Sequence, residues 1–366
     1  MIKRLTLQAI ISTVLCVAFL SKTNAQEAVF AQSYASPVHL NPAMTGVFDG
    51  QWRLNANYRQ QWDGIFANGP IRTFHAAFDY RVNIVNKDYL SFSFNALNDE
   101  TGSGARLKTT RGNFGMSYMK QLGGSKYRHS AQYLIAGGQV GVGQHTLTFG
   151  DLWFDRQYDS IGSAINTALP SGELLPQTNM YLDYNLGLMY YMTWAANRSL
   201  YMGISMHHLS QPNISFFGDT KEVLRRRFTL HGGGELPFNE ELSIMPHAMI
   251  TVQGPSMTST FGANFRYTNH DWNEAAVRMG ASFRMANKYI GLLDKEGRSQ
   301  PNGSGVLGDA ITITGVLEIN RLLIGASYDI HTSSITVPTN GRGAWELSLI
   351  YTAAEKRRVK TICPRF

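Results

Sequence analysis

Cysteine is nearly missing from this chain of 366 residues, which carries only Cys16 and Cys363. Cys16 falls in an N-terminal leader, so the exported part keeps one thiol and no internal disulfide to hold it in an oxidising compartment. A packed core or the closure of a barrel has to do that work. Long apolar runs are missing too: beyond the leader no stretch reaches eighteen residues, which excludes a helix that spans a bilayer. Excess charge of one sign is scarce. Removing the leader takes away Lys3, Arg4 and Lys22 and no acid, and the formal charge falls from +7 to +4. Over so long a chain that balance does not argue for nucleic acid. No Pro/Ser-rich linker or charge block divides the sequence, and it reads as one domain.

What is present begins with the leader. Lys3 and Arg4 precede an apolar run from Leu5 to Leu20 and a short polar exit ending at Ala25. This is the pattern of a secretory signal peptide over residues 1–25, with cleavage expected before Gln26. A retained membrane anchor is the alternative, but the run is short and its exit small and polar. Cys16 follows Leu15, where a lipid-attachment box would hold a small residue, and lipidation is rejected.

From Gln51 onward the sequence alternates. Trp52, Leu54, Ala56 and Tyr58 fall on one face and Arg53, Asn55, Asn57 and Arg59 on the other, which is the period of a strand. Tyr89–Leu97 and Tyr181–Met192 repeat the pattern. Further segments lie near 71–81, 107–121, 129–142, 200–209, 226–236, 242–252, 259–267, 275–284, 310–318, 322–331 and 344–352. The total is about fourteen, with one weak strand near 288–293 allowed, each about ten residues long. That is the length of a tilted membrane-crossing strand. The apolar faces carry Trp52, Tyr58, Tyr80, Tyr118, Tyr190, Tyr267, Trp345 and Tyr351, as interfacial girdles do. The opposite faces read as small or polar, with Gly137, Gln139, Gly141, Gly203, Ser205, Gly232 and Gly234. An all-β, transmembrane antiparallel barrel is therefore expected over 51–352, rather than a soluble sandwich. The polar connections 149–176 and 291–308 are expected at its extracellular side.

Before the first strand stands Ala35-Ser-Pro-Val-His-Leu-Asn-Pro-Ala-Met-Thr-Gly46. Asn41 can cap, Pro42 suits a first helical position and Gly46 a stop, so Pro42–Thr45 is expected to form one short turn. Together with Phe30-Ala-Gln-Ser-Tyr-Ala-Ser-Pro37 and Tyr58-Arg-Gln-Gln-Trp62, this stretch resembles the opening signature of the PorP/SprF family of Bacteroidota outer-membrane proteins. The residues that carry the resemblance here are Phe30, Gln32, Pro37, Leu40, Asn41, Pro42, Ala43, Gly46, Gln61 and Trp62. Later segments are similar as well: Gly138–Gly141, Phe154–Tyr158, His208–Pro212, Gly325–Asp329, Trp345–Tyr351 and the terminal Cys363-Pro364-Arg365-Phe366. The family's acidic-Pro opening is Glu27-Ala-Val-Phe30 here, a modest departure that leaves the partner subgroup open.

The resemblance implies a non-enzymatic outer-membrane barrel of the type IX secretion and gliding machinery. It would help export a large secreted surface protein, or hold it at the surface, through that protein's C-terminal domain. Other type IX components and outer-membrane lipid are further expected partners. The Asn-Pro-Ala stretch also resembles the lumen hatch of long-chain fatty-acid transporter barrels. Residues 26–50 are accordingly expected to enter and plug the lumen, with a disordered periplasmic leader as the alternative. The second functional reading is a hatch-type transporter for an apolar small molecule. It would need an apolar pocket behind Asn41–Ala43, which small, polar lumen faces disfavour.

Other motifs carry less. His231-Gly-Gly-Gly234 looks like an esterase oxyanion motif, but no Gly-x-Ser-x-Gly elbow accompanies it, and the glycines read as lumen-facing. Gly137–Gly143 has no following Lys-Ser/Thr or βαβ context. His207 and His208 are adjacent on a strand and would point to opposite faces, His207 into the lumen and His208 outward. Asp99–Gly104 and Asp151–Asp155 lack the regular spacing of a calcium loop. No Ser/His/acid set falls on one face, so a phospholipase ranks last. No catalytic residue, metal or cofactor is expected. Residues 353–366 form a basic tail, in which Lys356, Arg357, Arg358 and Lys360 are placed to meet an acidic periplasmic partner or phospholipid headgroups.

Overall fold

The computed structural model describes residues 27, 29–62, 69–84, 88–102, 106–125, 130–148, 153–159, 164–166, 168–170, 172, 178, 180–195, 197–216, 222–269, 275–287, 306–333 and 341–354. The leader, the weak strand near 288–293, most of 149–176 and 291–308, and the tail with Lys356, Arg357, Arg358, Lys360 and Cys363–Phe366 lie outside the described residues.

Alternation becomes sixteen strands in chain order: β1 Trp52–Gln61, β2 Ile71–Asn83, β3 Tyr89–Thr101, β4 Arg106–Ser125, β5 Ser130–Thr148, β6 Tyr158–Asp159, β7 Ala164–Ile165, β8 Tyr181–Ala195, β9 Arg198–His207, β10 Arg227–Pro237, β11 Leu242–Gln253, β12 Ser256–Tyr267, β13 Ala275–Asn287, β14 Val306–Ile319, β15 Leu322–His331 and β16 Ala344–Thr352. β6 and β7 pair only with each other. The remaining fourteen form a closed barrel, each beside its neighbour in sequence, with β1 returning to β16. Arg53 faces Thr352 and Gln60 faces Trp345 across that closing seam. β4 and β5 run to 20 and 19 residues, about twice the expected length, because their mutual ladder continues from Arg106↔Thr148 to Ser125↔Ser130.

The barrel is inside-out relative to a soluble core. Leu54, Phe74, Phe94, Phe114, Leu186, Ile204, Ile313 and Leu347 are exposed on its outside, while Arg53, Asn55, Asn57 and Arg59 are buried within. An apolar outer band of this size is stable only in lipid, and the closed ring leaves no unpaired strand edge there. Among the described residues no helix is long and apolar enough to cross a membrane. β1 begins and β16 ends at one rim, here called the terminal rim. The three longest connections, 149–180, 208–226 and 288–305, all join strands at the opposite, far rim.

Two face assignments differ from the sequence pattern. On β10, Arg227, Thr229, His231 and Glu235 are buried while Phe228, Leu230 and Leu236 are exposed. Gly232 and Gly234 therefore share the outer face, and smallness alone was no guide to it. His208 does not face outward. β9 ends at His207, and His208 takes a left-handed φ of 60° that breaks the alternation and turns its ring inward, where it is fully buried.

Candidate functional site: the occupied lumen

Residues 29–48 lie inside the ring, in contact with β1–β5, β8–β10, β15 and β16. A 3-10 turn at Ser33–Ala35, one helical turn α1 at Pro37–Leu40, and a second 3-10 turn at Pro42–Met44 carry the chain inward. Pro37 and Pro42 each begin a turn, where a missing N–H costs nothing. Asn41 caps the last turn, its Oδ1 accepting from Ala43 N at 2.8 Å. Glu27 sits near the first residues of β8 and β10 at the far rim, and Gly50 abuts Ala353 at the terminal rim, so the segment runs the height of the barrel.

The middle of the segment rests in a slot cut by glycines. Gly137 on β5 stands opposite Gly187 on β8, and Gly203 on β9 faces His231 on β10. A Cβ at Gly137 would lie 2.6 Å from the Pro42 carbonyl carbon and 2.7 Å from Ala43 N, and one at Gly187 would collide with the Asn41 amide. The space that these missing side chains leave admits Asn41, whose Nδ2 donates to the Leu188 and Ile204 carbonyls at 3.3 and 3.1 Å and meets His231 Nε2 at 2.9 Å. Both carbonyls belong to the barrel backbone, so one amide fastens the segment to two strands.

Around this slot barrel side chains satisfy the segment's backbone. Gln139 donates to the Val38 carbonyl, Ser205 to Leu40, Ser117 to Thr45 and Arg81 to Phe48, at 2.6–2.9 Å. Gly46 N donates to Asp79, which is paired with Arg53 at 2.7 Å, and both residues are almost solvent-free. Nearer the far rim, Glu346 accepts from the amides of Ala31 and Gln32 and also holds Arg59, which reaches Asp329. Gln32 donates to Ser327 and accepts from Ser348. A buried backbone without such partners would be costly, and this lumen supplies them.

The lumen is not uniformly polar as expected. Tyr89, Met119, Ala131, Tyr133, Ile135, Met189 and Tyr191 form an apolar patch inside the terminal half, and Ala43, Met44 and Val47 fill it. The transporter reading needs an open pocket at that place. A cavity of about 30 Å³, room for a water or two, lies elsewhere among the described residues, lined by Val29, Phe30, His39, Leu40, Arg227 and Met249.

Of the signature residues, Phe30, Gln32, Pro37, Leu40, Asn41, Pro42, Ala43 and Gly46 gather in the lumen. Gly46 has a φ of 75° and lies against Ser91, where a side chain has neither conformation nor room. Gln61 ends β1 at the far rim, where it accepts from Arg59 at 3.2 Å, and Trp62 follows it. The charged lumen residues Arg53, Asp79, Arg59, Asp329, Glu346, Arg111 and Arg227 were not singled out by the sequence. Their signal was present as lone charges on the strand face opposite the aromatics.

At the far rim, Glu27 pairs with Arg111, with Arg227 at 3.0 Å and with His208 at 2.8 Å, and His208 meets Asp183 at 2.6 Å. Burial opposes charge on Glu27, but Arg111, His208 and Arg227 outweigh it and hold the carboxyl well below its usual range. Burial also lowers His208, yet Glu27 and Asp183 outweigh that and raise it. His39 is held well below the ordinary imidazole value by burial and by Arg227, His75, His207 and Arg111, and stays neutral. A lowered carboxyl contributes attachment above its free pKa of about 4.3, lost as pH falls through the bound value; a raised imidazole contributes below about 6.5, lost as pH climbs through its raised value. The start of the segment is therefore expected to be held tightest between about pH 4.5 and 6.5 and to loosen on the alkaline side. Amide protection at residues 29–32, corrected for intrinsic exchange, checks this; protection that grows with alkaline pH contradicts it.

A family model described as type IX secretion system membrane protein PorP/SprF matches residues 22–351. Curated proteins gave no match. Among solved structures, the chain is similar to CdiB from Escherichia coli at 7% identity and TM-score 0.44, over 81% of this chain and 63% of that one. It is similar to the TodX deltaS2S3 mutant monoaromatic hydrocarbon channel at 12% identity and TM-score 0.44, over 90% and 94%. It is also similar to the translocator domain of autotransporter NalP from Neisseria meningitidis at 10% identity and TM-score 0.36, over 88% and 95%. The chain spans about three-fifths of the length of the CdiB structures it matches.

Proposed function

Because the chain belongs to the PorP/SprF family of type IX secretion system membrane proteins, we propose that it is a non-enzymatic outer-membrane barrel that helps export or anchor a large secreted cell-surface protein through that protein's C-terminal domain. The terminal rim then faces the periplasm and the far rim the cell exterior, in keeping with the placement of long connections in bacterial barrels. The observation that carries the reading is the filled lumen: Asn41–Val47 occupies the bore from the glycine slot to the apolar patch. A barrel closed by its own chain does not offer a path for a folded substrate. Its work is then done by contact, at the rims and in the long far-rim connections, with other type IX components and outer-membrane lipid as neighbours. The segment 26–50 acts in this reading as a plug.

The first experiment is to solubilise the protein from native outer membranes, capture it, and identify companions by mass spectrometry. Recovery of a large surface protein that is lost when its C-terminal domain is removed is the expected result. Recovery of the barrel alone with a bound lipid or fatty acid would overturn the proposal and favour transport.

A further inference from the structure

Three cations converge on one carboxylate at the far mouth of the lumen. Arg111 comes from β4, Arg227 from the first residue of β10, and His208 from the residue after β9, so the barrel fixes their places without help from the inner segment. Asp183 on β8 binds His208 Nδ1 at 2.6 Å and so presents Nε2 to Glu27. Arg111, Arg227 and His208 are each at least nine-tenths buried. Arg111 Nε and Arg227 Nε are buried with no acceptor among the described residues, and a polar cavity of about 10 Å³ adjoins them, bounded by Asn95, Arg111, Asp183, Asn185, His208 and Arg227. The cluster offers more donors than Glu27 fills.

Glu27 is held by its side chain: among the described residues, besides these pairs, it has one backbone contact, its N–H donating to Gln253 at 3.2 Å, and it lies at the start of the inner segment, beside the boundary expected for leader removal. The attachments that hold the segment lie beyond it, from Ala31 inward, so Glu27 can leave while the slot stays filled.

We propose that Arg111, Arg227 and His208 form a carboxylate-binding site at the far mouth of the barrel, occupied in cis by Glu27 and able to take the carboxylate of another molecule when Glu27 withdraws. The site selects a carboxylate over a spherical anion because its donors address two oxygens separately: Arg111 takes Oε1, and Arg227 and His208 share Oε2.

Sodium formate is the probe and sodium chloride at equal ionic strength the reference. The purified full-length Glu27→Ala protein is unfolded by heat in detergent over a formate series. A formate-specific rise in Tm of roughly 2 °C or more that saturates is expected, with none in the wild type, whose own carboxylate fills the site. The rise should vanish in Glu27→Ala/Arg111→Gln. If Glu27→Ala fails to assemble, Glu27→Ser, whose short side chain likewise leaves the place of the carboxylate open, is read the same way. No formate-specific rise in these variants, or an equal rise in the wild type, overturns the proposal.

Discussion

Gly137→Val is expected to expel the inner segment while leaving the barrel closed. The first added carbon would stand 2.5 Å from the Pro42 carbonyl oxygen and 2.6 Å from its carbon. Those are backbone atoms, which cannot rotate aside as a side chain can, and the segment is pinned here by the Asn41 bonds to β8 and β9. Overpacking of this kind costs about 3 kcal/mol or more. For the strand itself valine is an improvement over glycine, so the strain falls on the segment and not on the ring. Cleavage of a transiently released segment follows its open population, and about 3 kcal/mol raises that population roughly a hundredfold. Limited proteolysis of the folded protein should therefore cut between residues 30 and 48 in the variant and spare the wild type, while both keep the heat-modifiable gel mobility of an intact barrel. Planar-bilayer recordings should show a pore in the variant alone. Gly138→Val is the matched control: its side chain would point outward, toward the movable Leu186, and neither readout should change. Equal protease resistance in Gly137→Val and the wild type would mean that the segment is not held by this slot.

How far these features were legible in the sequence depends on the range over which each acts. Period-two patterning is local, and it placed Leu54, Phe94 and Leu186 on the lipid face and Asn55, Asn95 and Asn185 within. The Asn41 cap is also local, since an Asn followed by Pro commits the next turn whatever surrounds it. Face assignment failed where it was inferred from residue size: Gly203 is inward and Gly232 outward, and only counting along β10 from Arg227 separates them. His208 was misplaced because the end of β9 leaves no mark in the residues that end it. The charge network was the least legible. Arg59 is 270 positions from Asp329 and 287 from Glu346, and a strand face shows that a charge points inward without showing what it meets. Barrel closure decides that, and closure is a property of all fourteen strands together.

Glu346 joins that network to the inner segment, and its loss should be among the most destabilising single changes in the lumen. Its side chain is fully buried. Oε2 accepts from Ala31 N at 2.7 Å and Arg59 Nη1 at 3.1 Å, and Oε1 accepts from Gln32 N at 3.0 Å and Asn57 Nδ2 at 2.9 Å. Both oxygens are thus surrounded by donors. Glu346→Ala strips partners from the buried Gln32 amide and the half-buried Ala31 amide and leaves Arg59 with Asp329 as its one carboxylate, a loss of about 3–5 kcal/mol. Glu346→Gln should not rescue it. Whichever way the amide turns, its NH2 group meets two donors where an oxygen stood, so the isosteric variant is expected to fall close to Ala. Pairing Glu346→Ala with Arg59→Met separates the two roles. If the acid served only the ion pair, removing both partners would recover most of the loss. Because Ala31 and Gln32 remain unpaired, the double variant is expected to recover only part, and exchange at those two amides should stay fast while the β1 and β16 amides regain protection. Full recovery of the urea midpoint and of protection at Ala31 and Gln32 would assign Glu346 to the barrel wall alone.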